Sequence, residues 1–402
     1  MKKKPAIFFL LIISASFLLL NGCKLNNKDF PKNPSAVLNN VAPTVNVTAS
    51  PKVIVIPVTH LPTPEAVKGI YLTSWVASDK AFRHKRVVRL VEETELNTIV
   101  LDVKDNTGRV AFAVESPTIN KVGSVQKRIP DIREFIADLH KNNIYVIARI
   151  SVFQDPYYVS HKPSLAVKRA SDGAIWKDRG GQSWVDPGSK EIWDYIVAIA
   201  REAYAVGFDE INLDYVRFVS DGNLKDVAYP ISTTRDKTIV MEDFFKYVHG
   251  QLKPEGMVLS ADLFGLTMEV THNMNIGQVL EVAAPYFDYI CPMVYPSHYP
   301  YHWNGHARPA TVPYAIVKKA MDRGVQRLAS ANITTCEIRP WLQDFNMGAI
   351  YTPQMVRTQI QAAYDAGLDS WLIWNPMNKY TRAALKPDLI LAAKQPTLNA
   401  HK

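Results

Sequence analysis

The alternation of short apolar β-type runs with amphipathic helical segments limits the possible folds of this chain more than any other feature. Helical patterns such as residues 190–207 and 352–367 end at glycine, as helix C-termini prefer. Strand–helix repeats of this kind require parallel pairing with right-handed crossovers. Eight repeats in one domain, residues 67–396, predict a closed (β/α)8 TIM barrel rather than an open doubly wound sheet. The predicted strands are Gly69–Trp75, Thr98–Lys104, Tyr145–Ser151, Glu210–Val216, Val258–Leu263, Asp288–Val294, Ile338–Gln343 and Ser370–Trp374.

The first 23 residues, MKKKPAIFFLLIISASFLLLNGC, have the pattern of a secretory leader. Three lysines precede an apolar run from Ala6 to Leu20. The ending LNGC resembles a bacterial lipobox, which implies that residues 1–22 are a lipoprotein signal peptide and that Cys23 is lipid-modified. The alternative is a plain transmembrane anchor, since the apolar run is only slightly short for a bilayer span.

Residues 23–66 are rich in Pro, Asn, Thr and Val and lack a helical period, which is typical of an extended tether. Residues 397–402 form a short tail. We therefore expect a lipid-anchored protein of the bacterial cell envelope that faces the extracytoplasmic side and contacts the membrane through Cys23.

The formal net charge of +8 does not belong to the barrel. Three lysines of the leader and five lysines of residues 24–68 account for most of the excess, so the remaining domain is nearly neutral. A protein that binds a polyanion needs a concentrated positive surface. The sequence therefore predicts no nucleic-acid partner.

Cysteine and histidine usage predicts neither a metal site nor a cofactor. His298, His302 and His306 lie in an aromatic loop, and strand one, YLTSW, lacks the His-x-His of a metal-dependent amidohydrolase. Cys291 lies in an apolar strand pattern, which favours a buried free thiol. A disulfide between Cys291 and Cys336 remains an alternative.

The stretch GFDEINLDYVRF, residues 207–218, places polar side chains on one face of a core strand. Asn212 and Asp214 alternate with Ile211 and Leu213. A carboxylate sealed in the core without a partner costs several kcal/mol. The C-terminal strand ends of a TIM barrel form the active-site mouth, so we expect Asp214 to lie there.

Acidic, basic and aromatic side chains occur at other predicted strand ends as well. The same alternation gives inward-facing residues on strands two and five, and aromatic residues lie at the ends of strands one, six and eight. Acids and aromatics are therefore expected at one end of the barrel. These residues are Asp102, Lys104, Asp262, Tyr295, Trp75, Trp374 and Asn375.

This combination suits carbohydrate chemistry. Glycosidic bond cleavage normally uses two carboxyl groups, and sugar rings stack on Trp and Tyr. Asp214 and Asp262 are the predicted catalytic pair because their strands are adjacent, about 4.8 Å apart, which favours a retaining enzyme without fixing the separation. Asp102 is the alternative partner. Arg217 and Lys104 are expected to keep Asp214 ionised, and a dry setting is expected to raise the pKa of Asp262.

The remaining predicted contacts bind substrate. Trp184 belongs to the long strand-three connection, residues 153–188, which is predicted to form a wall of the cleft and whose alternative is a flap over the barrel mouth. Structural alternatives remain: Asp214 in a rim salt bridge with Arg217, Asp262 capping a turn, and the aromatics closing the core. The predicted substrate-binding residues are Asp102, Lys104, Arg217, Tyr295, Trp75, Trp374, Asn375 and Trp184.

Three motifs, GFDEINLDYVRF, SADLFG and PMVYPSHY, resemble those of a glycoside-hydrolase-like family of bacterial (β/α)8 barrels that was formerly a domain of unknown function. The resemblance covers about residues 68–396. It implies a hydrolase that acts on a polysaccharide or a cell-wall glycan without a cofactor.

A weaker likeness connects strand four to chitinase-type barrels, whose strand reads Asp-x-x-Asp-x-Asp-x-Glu. The same frame here reads Asp209, Asn212, Asp214 and Val216, although Tyr295 lies where those barrels have a sixth-strand tyrosine. Valine at the acid position argues against a mechanism assisted by the substrate acetamido group. It also leaves open the alternative of a glycan-binding lipoprotein that lacks catalysis.

Overall fold

The protein is a closed barrel of eight parallel strands, as the sequence predicts. The computed structural model describes residues 57–387, so the predicted leader, Cys23, most of the tether and the tail lie outside the described residues. The strands are β1 Lys68–Leu72, β2 Thr98–Lys104, β3 Tyr145–Ser151, β4 Glu210–Asp214, β5 Val258–Phe264, β6 Tyr289–Met293, β7 Trp341–Gln343 and β8 Trp371–Trp374.

Barrel closure depends on β7. It pairs with β8 on one side and with β6 through Trp341 and Met293 on the other, while β8 pairs with β1. An additional two-residue strand, Glu337–Ile338, also pairs with β6. Arg339 and Pro340 separate it from β7, and proline has no backbone N–H for a ladder hydrogen bond. The predicted seventh strand is therefore divided.

Helices surround the barrel. Lys190–Ala205 buries Ile192, Ile196 and Ile199 against it, and each such side chain contributes about 1.5–3 kcal/mol on leaving water. A short antiparallel pair, Lys168–Arg169 with Val227–Ala228, lies in the connections. The α-helices are Ser74–Ala77, Lys80–Arg83, Arg89–Glu92, Pro117–Val122, Ile132–Lys141, Pro156–His161, Lys190–Ala205, Lys237–Leu252, Leu280–Ala283, Pro313–Ser330 and Pro353–Asp365, with a π-helical segment at His84–Val88.

Two apolar layers stabilise this architecture. The larger lies between the strands and the helices, and a smaller cluster that includes Tyr71, Ile147 and Trp341 fills the inside of the barrel. Cys291 belongs to the inner cluster, and both Cys291 and Cys336 are buried free thiols. The free-thiol prediction is confirmed, and the disulfide alternative is wrong.

The end of the predicted tether packs on the bottom of the barrel. The His60 ring stacks on Tyr204 with 3.9 Å between centroids, and the Leu61 backbone N–H donates to Asp209 at 2.7 Å. Part of the segment expected to be extended thus covers the N-terminal ends of the strands. No helix between residues 57 and 387 is long and apolar enough to cross a membrane.

Candidate active site

A cleft of about 510 Å³ opens at the C-terminal ends of the strands. It lies where a TIM barrel places its active site. Both predicted catalytic carboxylates and several predicted substrate contacts line it, so residues from distant parts of the chain share one cavity. These residues are Trp184, Asp214, Arg217, Asp262, Tyr295, Trp374 and Asn375.

Asp214 ends β4 and forms an ion pair with Arg149. Its Oδ2 contacts the Arg149 guanidinium, and its Oδ1 accepts a hydrogen bond from the Tyr215 backbone N–H at 2.5 Å. Donors therefore contact both carboxylate oxygens of Asp214. Tyr215 has a φ of 56°, a left-handed conformation that is uncommon for a non-glycine residue and ends the strand there.

Asp262 lies on the neighbouring strand β5 in a drier setting. Its side chain is 2% exposed, and its Oδ1 accepts hydrogen bonds from Trp341 Nε1 at 2.7 Å and Asn212 Nδ2 at 3.0 Å. Burial, and next the charge of Asp214, raise the pKa of Asp262 to about 8, while Arg149 opposes the shift. This is the direction expected from the sequence, and the cause is burial.

Arg149 joins the acidic groups and was not predicted from the sequence. It projects from β3, where its Nη1 donates to Asp102 at 2.6 Å and its Nη2 contacts Asp214. Its Nε lies 3.7 Å from Asp262 Oδ2. The available signal was a charged residue in the apolar strand YVIARIS, on the same face as Tyr145.

Neither of the two basic residues expected to pair with Asp214 does so. Lys104 is fully buried and pairs with Asp155 at 2.8 Å, so it reaches neither the cleft nor Asp214. Arg217 lines the cleft, but no ion pair of 4.0 Å or less joins it to Asp214 in the described part of the chain. The ion pair with Asp214 is instead formed by Arg149.

Asp102 lies beneath the site and not in it. The Tyr71 hydroxyl and Arg149 both donate to its carboxylate, and it does not line the cleft. Burial raises the pKa of Asp102 to about 6. Its contacts fit a residue that positions Arg149, and it does not line the cleft in which the contact with a sugar hydroxyl was predicted.

Trp75 lies outside the cleft because β1 ends three residues before it. Trp75 belongs to the short helix Ser74–Ala77 and is 58% exposed, with the Arg128 guanidinium 4.1 Å from its ring centroid. The predicted strand extended through Trp75, and this boundary is wrong. Its predicted stacking on substrate at the strand end therefore does not apply to this cleft.

The other predicted aromatics line the cleft. Trp374 stacks on Tyr71 at 3.9 Å between centroids, and Tyr295 contacts Phe345 edge-on at 5.7 Å. Trp184, from the long connection, is 2% exposed and donates its Nε1 to Asp178 at 2.9 Å. These rings give the cleft apolar surface as well as charge.

Asn375 holds the loop after β8. Its Nδ2 donates to the backbone carbonyls of Asp344 and Lys379, and its Oδ1 accepts from Met377 N at 2.9 Å. The side chain lines the cleft, but its amide atoms already bind the loop. Asn375 therefore shapes the cleft wall that a substrate would meet.

Several lining residues were not predicted from the sequence. Gln154 and Asp178 come from the connection after β3, and Phe345 follows β7. Gln278 lies behind the site and joins two strand ends, since its Oε1 accepts from Phe264 N at 3.0 Å and its Nε2 donates to Val216 O at 3.2 Å. Loop residues carry no periodic signal, so their convergence depends on the fold.

Val216, which occupies the position of the chitinase acid, is fully buried among apolar side chains. The positive φ of Tyr215 turns the chain between Asp214 and Val216. No group of three or more His, Cys, Asp or Glu side chains within residues 57–387 could hold a metal ion.

Comparison with known proteins relates this chain to one family. The family model described as "Putative glycosyl hydrolase domain" matches residues 69–380. A hypothetical protein from Ruminiclostridium thermocellum ATCC 27405 is 36% identical over 48% of this chain and 96% of its own, with a TM-score of 0.44. No curated protein matches the chain.

The glycoside hydrolase domain of PgaB (BpsB) from Bordetella bronchiseptica is 13% identical, and the match covers 80% of this chain and 99% of that domain with a TM-score of 0.58. At this identity the likeness shows a shared fold. The family match spans most of the 402 residues and agrees with the resemblance of the strand-end motifs. The chain therefore belongs to the family described as "Putative glycosyl hydrolase domain".

Proposed function

We propose that this barrel hydrolyses glycosidic bonds in a polysaccharide or a cell-wall glycan, with Asp214 and Asp262 as the reacting pair. The observation that carries the proposal is the unlike environment of two carboxylates that line one cleft. Arg149 forms an ion pair with Asp214 and the Tyr215 N–H donates to it, while burial favours the neutral form of Asp262. Glycoside hydrolysis needs one group of each kind.

Asp262 is the general acid in this proposal. Its Oδ1 accepts two hydrogen bonds, from Trp341 and Asn212, so the proton of the neutral acid resides on Oδ2. That proton moves to the glycosidic oxygen as the bond to the anomeric carbon breaks. The departing sugar leaves with a hydroxyl group, and Asp262 becomes a carboxylate.

Asp214 is the nucleophile in the retaining version, which the adjacency of β4 and β5 favours. Asn212 pairs with Ser260 and Leu213 with Ala261, so the next position of β4 is level with Asp262. Asp214 forms a bond to the anomeric carbon, and water deprotonated by Asp262 then releases the sugar. In an inverting version Asp214 would instead deprotonate the attacking water.

A glycan-binding protein without catalysis is the second candidate. The buried Val216 in place of the chitinase acid favours it, as does the engagement of Asp102 and Asp214 by the same guanidinium. The two candidates share the cleft and its aromatic rings. They differ in whether a glycan is cleaved.

Release of reducing ends from a panel of polysaccharides separates these functions. We expect the wild type to cleave at least one glycan and Asp214→Asn to lose about 10²–10⁴-fold in rate while still binding it. Binding is measured in parallel by calorimetry. Binding without cleavage by the wild type on every glycan would support the second candidate.

We also propose that the barrel is tethered to the extracytoplasmic face of the cell envelope through lipid-modified Cys23. The support is the leader, the LNGC ending and the Pro-rich segment that follows it. Residues 59–61 contact the bottom of the barrel, whereas the cleft opens at the C-terminal strand ends. A tether that leaves from the bottom keeps the cleft free for an extended glycan.

A further inference from the structure

Arg217 is a buried cation that has no carboxylate partner among residues 57–387. In the described part of the chain no carboxylate oxygen lies within 4.0 Å of its guanidinium, although its side chain is well buried. Other buried arginines have such a partner. These pairs are Arg83 with Asp131, Arg128 with Asp105, Arg149 with Asp102, Arg327 with Glu281 and Arg339 with Glu210.

Aromatic rings surround the Arg217 guanidinium. Its centre lies 4.7 Å from the ring centroid of Trp184, 4.8 Å from Phe264 and 5.4 Å from Tyr215. Burial lowers the pKa of Arg217, and the charges of nearby groups offset only part of the shift. Arginine stays charged at neutral pH, so the positive charge persists in this setting.

The hydrogen bonds of Arg217 leave one edge of the guanidinium plane open. Both of its side-chain bonds use Nη1, which donates to Ser220 Oγ at 2.9 Å and to Phe218 O at 3.2 Å. Nε and Nη2 donate no hydrogen bond to any residue between 57 and 387. These two N–H groups form the side edge of the fork, which matches the two oxygens of a carboxylate.

The side-chain amide of Gln154 is a second polar group of this cleft. Gln154 lines it and donates its Nε2 to Asp178, to which Trp184 also donates. The Gln154 Oε1 is buried without a hydrogen-bond partner among the described residues.

We propose that Arg217 binds a carboxylate on the glycan, so that the substrate is an acidic polysaccharide. This inference rests on the proposed function, because it assigns the cleft to a glycan. The charges of Asp214, Asp221 and Asp178 also act on Arg217. They repel any anion, and they oppose a ligand group of higher negative charge more strongly than a single carboxylate.

A sugar carries such a carboxylate either as a uronic acid or as a lactyl ether in a cell-wall glycan. Binding of both sources is measured with the purified Asp214→Asn protein, so that cleavage does not interfere. The probes are oligogalacturonate and muramic-acid-containing glycan strands, each beside its carboxyl-reduced form. We expect one native probe to bind about 10- to 100-fold more tightly than its reduced form.

Arg217→Met in the same background should reduce the affinity for that native probe to the level of the reduced probe, and Arg217→Lys should recover only part of it, since lysine lacks the planar fork. Arg201→Met removes an exposed arginine that pairs with Glu255 and should change nothing. Equal binding of native and reduced probes would overturn the inference, and so would an equal loss for both probes in Arg217→Met.

Reducing-end release from the wild type separates this inference from the proposed function. Cleavage of a neutral glycan with no preference for carboxylates would support hydrolysis and contradict the role of Arg217. Tight binding of a carboxylated glycan that the wild type does not cleave would support the role of Arg217 and contradict hydrolysis. The comparison of native and reduced probes uses no Arg217 variant, so it stands even where a variant fails to fold.

Discussion

Asp214 and Asp262 are identical side chains in unlike surroundings, and the difference comes from their neighbours. Asp214 has a guanidinium and a backbone N–H, whereas Asp262 has neutral donors and deep burial. A single guanidinium, that of Arg149, limits the repulsion between them. Sequence alternation predicted the two acids but not Arg149, because the alternation shows which face a residue occupies and not which charges meet across strands.

At the residue scale, we expect an alkaline limit to activity. Asp262 must be protonated to act as the acid, and its pKa is about 8, so kcat/KM should fall about tenfold per pH unit above that value. A pH–rate profile of the wild type on a cleaved glycan measures this. A rate that stays constant from pH 7 to 10, or an alkaline limb near pH 4, would contradict the assignment.

The raised pKa of Asp262 also makes the stability of the protein depend on pH. Because the folded-state pKa of Asp262 lies above its usual value, the native state binds more protons between about pH 4 and 8. The contribution of Asp262 to stability is therefore present at low pH and is lost as the pH rises through 8. Asp262→Asn removes this dependence. Urea unfolding should therefore show that the free energy of unfolding of the wild type falls relative to that of the variant as the pH rises from about 4 to 8.

At the element scale, the bounds of β2 and β3 were predicted correctly, whereas the C-terminal ends of β1 and β4 were not. The alternation places Asp262 correctly at the cleft, whereas the register of β2 shifts between Asp102 and Lys104, and Lys104 does not reach the cleft. β1, however, stops at Leu72 because Thr73 caps a helix, and β4 stops at Asp214 because Tyr215 adopts a positive φ. The early end of β1 places Trp75 outside the cleft. Hydrophobic periodicity carries no signal for either of these local conformations.

Gly265 shows why the SADLFG motif ends in glycine. A Cβ at Gly265 would lie 2.6 Å from Met293 O and 2.9 Å from the Tyr299 hydroxyl, so β5 and β6 end in close contact beside the cleft. Gly265→Ala should lower the free energy of unfolding by about 1–3 kcal/mol and reduce hydrolysis. Urea denaturation and reducing-end release measure the two effects.

Gly250 provides the matched control, since it lies in the helix Lys237–Leu252 and a Cβ there meets no atom within 4 Å. Gly250→Ala should stabilise the protein by about 0.5–1 kcal/mol. Equal effects of the two substitutions would show that the strand ends tolerate a side chain at Gly265.

At the scale of the whole molecule, the barrel assembles one cleft from distant parts of the chain. Eight strand–helix repeats were enough to predict the closed fold. The partners of Lys104 and Arg217 were not predictable, because their contacts depend on the register of β2 with β3 and on loops that have no period. The sequence thus predicted which side chains reach the barrel mouth more accurately than what they bind.

The proposed lipid anchor at Cys23 determines where the whole molecule is found in the cell. Cys23→Ser removes the thiol that lipid modification requires, so we expect the protein to move from the membrane fraction to the soluble fraction. The measurement is fractionation of the expressing cells followed by immunodetection. An unchanged membrane fraction would favour the uncleaved transmembrane anchor and contradict lipidation.

The hydrolysis rates of Asp214→Asn, Asp262→Asn and the double variant test the catalytic pair most directly. Calorimetry on the same samples establishes that each variant still binds the glycan. On a glycan that the wild type cleaves, each single variant should lose about 10²–10⁴-fold in kcat, and the double variant should lose little more, because the two groups act as a unit. Wild-type rates in either single variant would contradict the assignment of Asp214 and Asp262.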